Sequence, residues 1–373
     1  MTDAIVVGLG ADGSAAAAHL AKRGVRVIGL EAFARGHTNG SSGGLTRVIR
    51  TAYYEHPDYV PLLKRAWTLW RELERDTGTD LLRQTGGVYA GPRDGELVGG
   101  SLRSARAHAL EHELLDPDAL RARLPLFRFD PDWWGLAEGS AGYLFPERCI
   151  AAHLSGAEAH GADLRFEERV ASWSPDGAGV RVTTDRGTYR ADRLVIAAGA
   201  WNARLLPRIA PLLTVKRVPL FWFEPVAERD ALATLPVYIV DSGVGHGCYG
   251  FPYLPDQGLK IATHGAGTPA DPDTVDRAVH PGDEAPIREF IRTRLPVADG
   301  PVRSAKICMY TVTPDEHFIV DVEGPVAYAS ACSGHGFKFA SVMGEILADL
   351  ALDGTTRHPI AFLSASRFAA ARA

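Results

Sequence analysis

The residues best suited to chemistry are a few cations and one cysteine. "LTRVIRTAYYEH" sets Arg47 and Arg50 three apart, on one face if that piece is helical. A guanidinium offers a bidentate fork, so the pair could form a cationic wall that clamps a carboxylate; the alternative is two ordinary surface arginines. Lys338 in "SGHGFKFAS" follows a glycine turn at a helix start, where the helix dipole disfavours a cation and an anion is called for. In "GLKIATHGAG" a strand puts Lys260, Ala262 and His264 on one face, and "CYGFPYLP" aligns Tyr249, Phe251 and Tyr253. Taken alone, these read as a half-solvated strand and as core or rim aromatics. Cys308 in "KICMYTVTPDEHFIVD" alternates with Lys306 and Tyr310, and a cysteine between a charged and a phenolic neighbour is a poor core filler. Cys332 reads as a small packed residue, and His317 and His335 as hydrogen-bonded structural residues.

The elements that must position these groups begin with "AIVVGLGADGSAAAAHLAKRGVRVIGLEA", a strand, glycine turn, alanine-rich helix and second strand ending in an acid. Gly8, Gly10 and Gly13 form G-x-G-x-x-G directly after the apolar run, which permits a tight turn, close approach of a pyrophosphate and close helix packing. Glu31 closes the second strand, where it can accept hydrogen bonds from a ribose. Residues 53–76 have apolar side chains at helical spacing, and their aromatics read as core. Residues 86–92 read as a strand and turn, 102–124 as a solvated helix, and a helix starts near Cys149 with a strand around 164–170. A buried strand in 189–206 runs into Gly199, and 325–354 repeats the opening plan of strand, glycine turn and helix. The chain thus begins and ends in one nucleotide domain with other material inserted, and two glycine turns suit a cofactor longer than a mononucleotide.

Bulk properties narrow the class. A length of 373 residues suits two domains or one domain with a large insertion. A net charge of −5 argues against a nucleic-acid footprint and favours a small-molecule partner. Four cysteines lie far apart with no zinc spacing, so neither a disulfide framework nor a metal is expected, and a reducing, cytoplasmic compartment is. The amino terminus lacks a basic lead and no apolar run is long enough for a membrane span.

Together the motifs resemble the monomeric sarcosine oxidase family of flavoproteins, which includes N-methyltryptophan oxidase. The likeness rests on "VVGLGADGSAAAAHLAKRG", "TRVIR", "GYLFPERCI", "AAGAWNARLL", "YGFPYLPDQGLKIATHG", "CMYTVTPDEHFIVD" and "SGHGFKFASVMGEIL", in that order. It implies an α/β, two-domain fold: a Rossmann-like FAD-binding domain over 1–85, 142–214 and 317–373, and a substrate domain on a mainly antiparallel sheet over 86–141 and 215–316. By the same likeness Cys308 forms a thioether to the 8α-methyl of FAD, with Lys306 and nearby arginines as candidates to favour its thiolate. The resemblance also implies that Ser42, Thr46, Arg47, Val170, Gly199, Trp201, Gly334, Gly336, Phe337 and Lys338 join Gly8, Gly10, Gly13 and Glu31 around FAD. Arg50 and Lys338 match the clamp on the substrate carboxylate; Tyr249, Tyr310 and His264 match pocket residues; Lys260 matches the lysine near flavin N5 that promotes oxygen reduction. The implied reaction oxidises a secondary amino acid to an imine, which hydrolyses, while oxygen becomes hydrogen peroxide, in a monomer acting on small molecules. One departure stands out: the family's histidine just before the arginine pair is replaced by Gly43 and Gly44, which predicts a more open wall and tolerance of bulkier substrates.

Overall fold

The computed structural model describes residues 2–241, 247–265 and 267–368. Its first sheet is centred on strand Thr2–Val7, which runs parallel to Val27–Leu30 on one side and to Thr188–Ile196 on the other. Asp163–Arg165 extends the sheet beyond Val27–Leu30. The far edge of Thr188–Ile196 takes Val326–Ser330 in parallel and Gly179–Thr184 antiparallel. The opening and closing segments therefore share one sheet, as the repeated strand and glycine turn lead one to expect.

The helices that follow the two glycine turns, Ala11–Lys22 and Ala340–Asp353, pack against each other. Their contact is close because both faces are small: a Cβ added to Gly344 would lie 2.5 Å from the Ala15 Cβ. Alanines at 15–17 and the apolar face of Ala340–Asp353 are buried in one core with helix Val60–Thr77. That burial, more than intrinsic propensity, holds these helices in place.

A second sheet of nine strands draws its members from 87–138 and 214–312. It is mainly antiparallel; Gly87–Gly91 and Val237–Val240 form its parallel pair. Strand Thr214–Phe223 pairs with Val302–Val312 on one edge and Leu259–Thr263 on the other, and Cys248–Gly250 pairs with Leu259–Thr263. This register carries Cys308, Tyr310, Lys260 and Tyr249 on neighbouring strands. A small third sheet joins Arg47–Ile49, Gly142–Leu144 and Leu82–Gln84.

Some local readings differ from the structure. Arg47 and Arg50 do not share a helical face, because Arg47–Ile49 is a strand paired to Gly142–Leu144. The stretch 102–124 is helix Glu96–Ala107, strand Glu113–Leu115 and helix Pro117–Arg123, the strand being captured by Trp134–Glu138. Leu259–Thr263 is not half-solvated: Lys260 and Ala262 are as buried as Leu259 and Ile261. Among the described residues no helix is long and apolar enough to cross a membrane.

Candidate active site

A cavity of about 280 Å³ runs from the first glycine turn, under the closing one, to the second sheet. At its nucleotide end the three glycines have different tasks. A Cβ on Gly8, whose φ is +85°, would lie 2.6 Å from the Ala197 carbonyl oxygen, and one on Gly13 would lie 1.7 Å from the Gly8 oxygen. Those two permit the packing of turn, helix and adjacent strand. Gly10 is the open one, its nearest neighbour being Ser42 Oγ at 3.8 Å from a would-be Cβ, and it faces the cavity. Glu31 is buried on the same wall, where its carboxylate accepts from the Leu9 N–H at 2.8 Å and the Phe33 N–H at 3.2 Å. Ser42, Val170, Gly199 and Trp201 also line this space, while Gly13 and Thr46 lie just behind it. Ser41 Oγ and Ser330 Oγ are buried on the lining with no hydrogen-bond partner among the described residues. A long cavity with an open glycine, a strand-end acid and unpaired hydroxyls fits a dinucleotide, which brings its own donors and acceptors.

Between the nucleotide end and the second sheet lies the loop 41–46, drawn in by two cations. Arg47 donates to the carbonyls of Ser41 at 3.2 Å and Thr46 at 2.9 Å, and also to that of Gly43. Lys260 Nζ donates to the carbonyls of Gly44 and Thr46, each at 2.7 Å. Glu147 accepts the N–H groups of Gly44 at 2.8 Å and Leu45 at 3.1 Å. Burial first, and Arg47 second, push the Lys260 pKa well below the usual lysine range. Cys308 sits beneath this loop, 2% exposed, with its Sγ 3.4 Å from the Ser41 oxygen and 3.6 Å from Arg47 Nη2. Neither Cys308 nor Lys260 lines the cavity, whereas Arg47 does. Gly43 lines the cavity; a Cβ on it would meet Lys306 Nζ at 2.9 Å, and one on Gly44 would meet Arg47 Nη1 at 2.8 Å.

A second cationic cluster lies further along. Arg50 is buried and donates to Glu55 at 2.5 and 2.7 Å while stacking over Tyr53 at 4.2 Å and Tyr54 at 4.6 Å. Lys338, brought by the closing glycine turn, lies over the same Tyr53 ring at 5.2 Å and donates to the His335 carbonyl. Burial, and then Arg50, lower the Lys338 pKa to about 7. His335 has both ring nitrogens engaged, to the Tyr53 hydroxyl at 2.5 Å and the Glu316 carbonyl at 3.1 Å. Burial, followed by Lys338, depresses its pKa, so the ring is neutral and takes the structural part expected of it.

Tyr249, His264 and Tyr310 meet beside this cluster. His264 lies 6.3 Å from Tyr249 and 6.2 Å from Tyr310, centroid to centroid, and burial raises the pKa of both phenols, leaving them protonated donors. Gly334, at φ +81°, lets Tyr310 in, since a Cβ there would lie 2.8 Å from its ring. A Cβ on Gly336 would lie 1.7 Å from the Ala331 carbonyl oxygen, so the closing turn depends on both glycines. Phe337 and Cys332 complete the lining. A smaller cavity of about 110 Å³ adjoins, sharing Tyr54, His264 and His335 with the large one.

The structure thus brings Gly8, Gly10, Glu31, Ser42, Arg47, Arg50, Tyr249, His264, Tyr310 and Lys338 to one cavity, whereas His317 lines only the smaller cavity and Tyr253 packs in the core of the second sheet. Tyr53, Glu55, Glu147 and Ser41 were not singled out. The first two stand three and five residues after Arg50 in "RTAYYE", and that closeness in sequence was the available signal.

The glycine turn that closes the central parallel strands, with the long cavity beside it, defines a dinucleotide-binding protein. The chain matches the FAD dependent oxidoreductase family over residues 3–350, and it belongs to that family. It is 44% identical to monomeric sarcosine oxidase of Streptomyces avermitilis, over 100% of this chain and 99% of that one. It is 35% identical to N-methyl-L-tryptophan oxidase of Salmonella dublin, over 98% and 99% of the two chains. Among solved structures it is similar to NikD, described as an unusual amino acid oxidase essential for nikkomycin biosynthesis, with a TM-score of 0.83, 26% identity, and 97% and 96% of the chains covered.

Proposed function

We propose that this enzyme oxidises a secondary α-amino acid, N-methyl or cyclic, to an imine that hydrolyses, with oxygen as the electron acceptor and hydrogen peroxide as the co-product. The observation that carries this reading is the pairing of Arg50 and Lys338 across one Tyr53 ring with Glu55 as the carboxylate bonded to Arg50. Two buried cations facing one carboxylate leave a site that favours a second, and the substrate carboxylate supplies it.

When bound, FAD would accept the two electrons released as the C–H bond next to the amine nitrogen breaks. The chain's own residues orient the amino acid. Arg50 and Lys338 hold its carboxylate, and Tyr249, Tyr310 and His264 surround the amine and its substituent. No side-chain base is required if the amine binds uncharged. Gly8, Gly10, Gly13 and Glu31 would hold the adenosine diphosphate half, with Ser42, Thr46, Val170, Gly199 and Trp201 around them. Gly334, Gly336, Phe337 and Lys338 would hold the far end, Arg47 would lie at the ring, and Cys308 would be the covalent anchor. Lys260, fixed by two carbonyls under the loop, is the group assigned to the oxygen step, where a rigid donor in a dry site stabilises developing negative charge.

The test is peroxide release from sarcosine, N-methyltryptophan, proline and pipecolate, compared as kcat/KM. At least one of the four is expected to release peroxide in proportion to imine formed. Turnover that needs an artificial electron acceptor would assign the chain to carrier-linked dehydrogenases, and no turnover with any of them would defeat the reading.

A further inference from the structure

Beneath the loop 41–46 a cation stands whose role the reaction above leaves unassigned. Lys306 lies two residues before Cys308 on strand Val302–Val312, on the same face, with Cα atoms about 7 Å apart. Both side chains reach the same stretch of loop. The Cys308 Sγ is 3.4 Å from the Ser41 oxygen, and Lys306 Nζ occupies the space next to Gly43, 2.9 Å from where a Cβ would stand. Lys306 is half-buried and has neither a hydrogen bond nor an ion pair among the described residues.

Thioether formation at Cys308 needs the thiol proton to go somewhere. Arg47, the cation nearest to Sγ, can stabilise a thiolate but cannot take a proton. Lys260 has its amine committed to two carbonyls on the other side of the loop. Lys306 is the amine left over. We infer that Lys306 is the base that takes the Cys308 thiol proton during covalent attachment of the flavin, an inference that rests on the reading of Cys308 as the anchor. The thiol proton passes to Nζ, sulfur bonds to the 8α carbon as that methyl releases a proton, and the flavin ring takes up the two electrons. Dioxygen then removes those electrons and both protons as hydrogen peroxide, so the balance closes. Burial is the largest influence on Lys306 and lowers its pKa; Arg47 and Arg277 add to the shift, while Glu147 and Cys308 oppose it. A lysine so placed exchanges protons nearer to neutral pH than an exposed one. Gly43 belongs to the same device, because a side chain at 43 would displace the amine.

The experiment follows the rate of linkage, without reference to turnover. Full-length protein is made under riboflavin starvation and mixed with FAD in air. Covalent flavin is then measured over time as absorbance in the acid-precipitated pellet, and checked by intact mass. Wild type is expected to link, and Lys306→Met to bind FAD but link about 100-fold more slowly. Lys306→Arg, which keeps the charge and length but cannot accept a proton, is expected to be as slow as Lys306→Met. Linkage by Lys306→Met at the wild-type rate would overturn the inference, and a wild-type rate for Lys306→Arg would replace the base by a simple charge effect. If wild type itself binds FAD without linking, the anchor reading of Cys308 fails and this inference goes with it. If a Met variant does not retain FAD, Lys306→Gln gives the same comparison.

Discussion

Two pairs of cations, all buried except the half-buried Arg47, flank the cavity, and they differ in whether a carboxylate is among the acceptors they bind. Arg47 and Lys260 send their donors to backbone carbonyls of the loop 41–46. Arg50 and Lys338 share one aromatic ring and have Glu55 bonded to Arg50, which leaves positive charge in excess. The first pair holds a shape and the second is suited to hold a ligand. Burial of a cation does not by itself mark a binding site; the balance of its partners does.

The strongest way to break this comparison is to remove Arg50. Arg50→Met combined with Glu55→Gln, so that no carboxylate is left unpaired, is expected to lower kcat/KM for amino-acid substrates by roughly 100-fold, about 3 kcal/mol. Values within threefold of wild type would dissolve the distinction between the two pairs. Lys260→Met should act on the fold and the oxygen step instead. Loss of its two buried hydrogen bonds is expected to lower unfolding stability by about 2 kcal/mol in urea titrations. Stopped-flow reoxidation should slow while reduction by substrate does not; a rise in substrate Kd alone would place Lys260 with the ligand-binding pair.

A gentler probe uses acidity. Lys338 titrates near pH 7, is charged below it and neutral above it. Binding of acetate, read from the perturbed flavin spectrum, is therefore expected to weaken roughly tenfold as pH rises through that region. The same titration of Lys338→Met should be flat, and a slope that survives there would assign the proton to another group. The smallest effect is expected at Gly43→Ala. The nearest atom it meets is the end of a flexible lysine, but Thr38 Cβ at 3.1 Å must also give a little, so a loss of stability of about 1 kcal/mol or less should be measured, against a larger loss for Gly44→Ala at φ +125°.

Features whose cause is local were legible in the sequence. The glycines of both turns follow from steric demands within a few residues, and the placing of Lys260 with Ala262 follows from strand alternation. What the chain concealed depends on distant partners. Arg47 and Arg50 look helical until Gly142–Leu144 pairs with that segment. Glu113–Leu115 becomes a strand because Trp134–Glu138 lies beside it. Tyr53 reads as a core aromatic, and its place in the site depends on the closing turn, whose His335 bonds to it across 282 residues. The neighbour of Gly43 was hidden for the same reason, since Lys306 reaches it from a distant strand of the second sheet.

The sharing of one sheet by the opening and closing segments has a consequence for biosynthesis. Thr2–Val7 and its turn are translated long before Val326–Ser330, the second turn and the helix seated on Ala15. Until they arrive, half of the cofactor's walls are absent and the alanine face of the first helix has nothing to rest on. Flavin capture accordingly waits until residues 326–353 have emerged, and a ribosome stalled before residue 326 should carry a nascent polypeptide that retains no yellow colour.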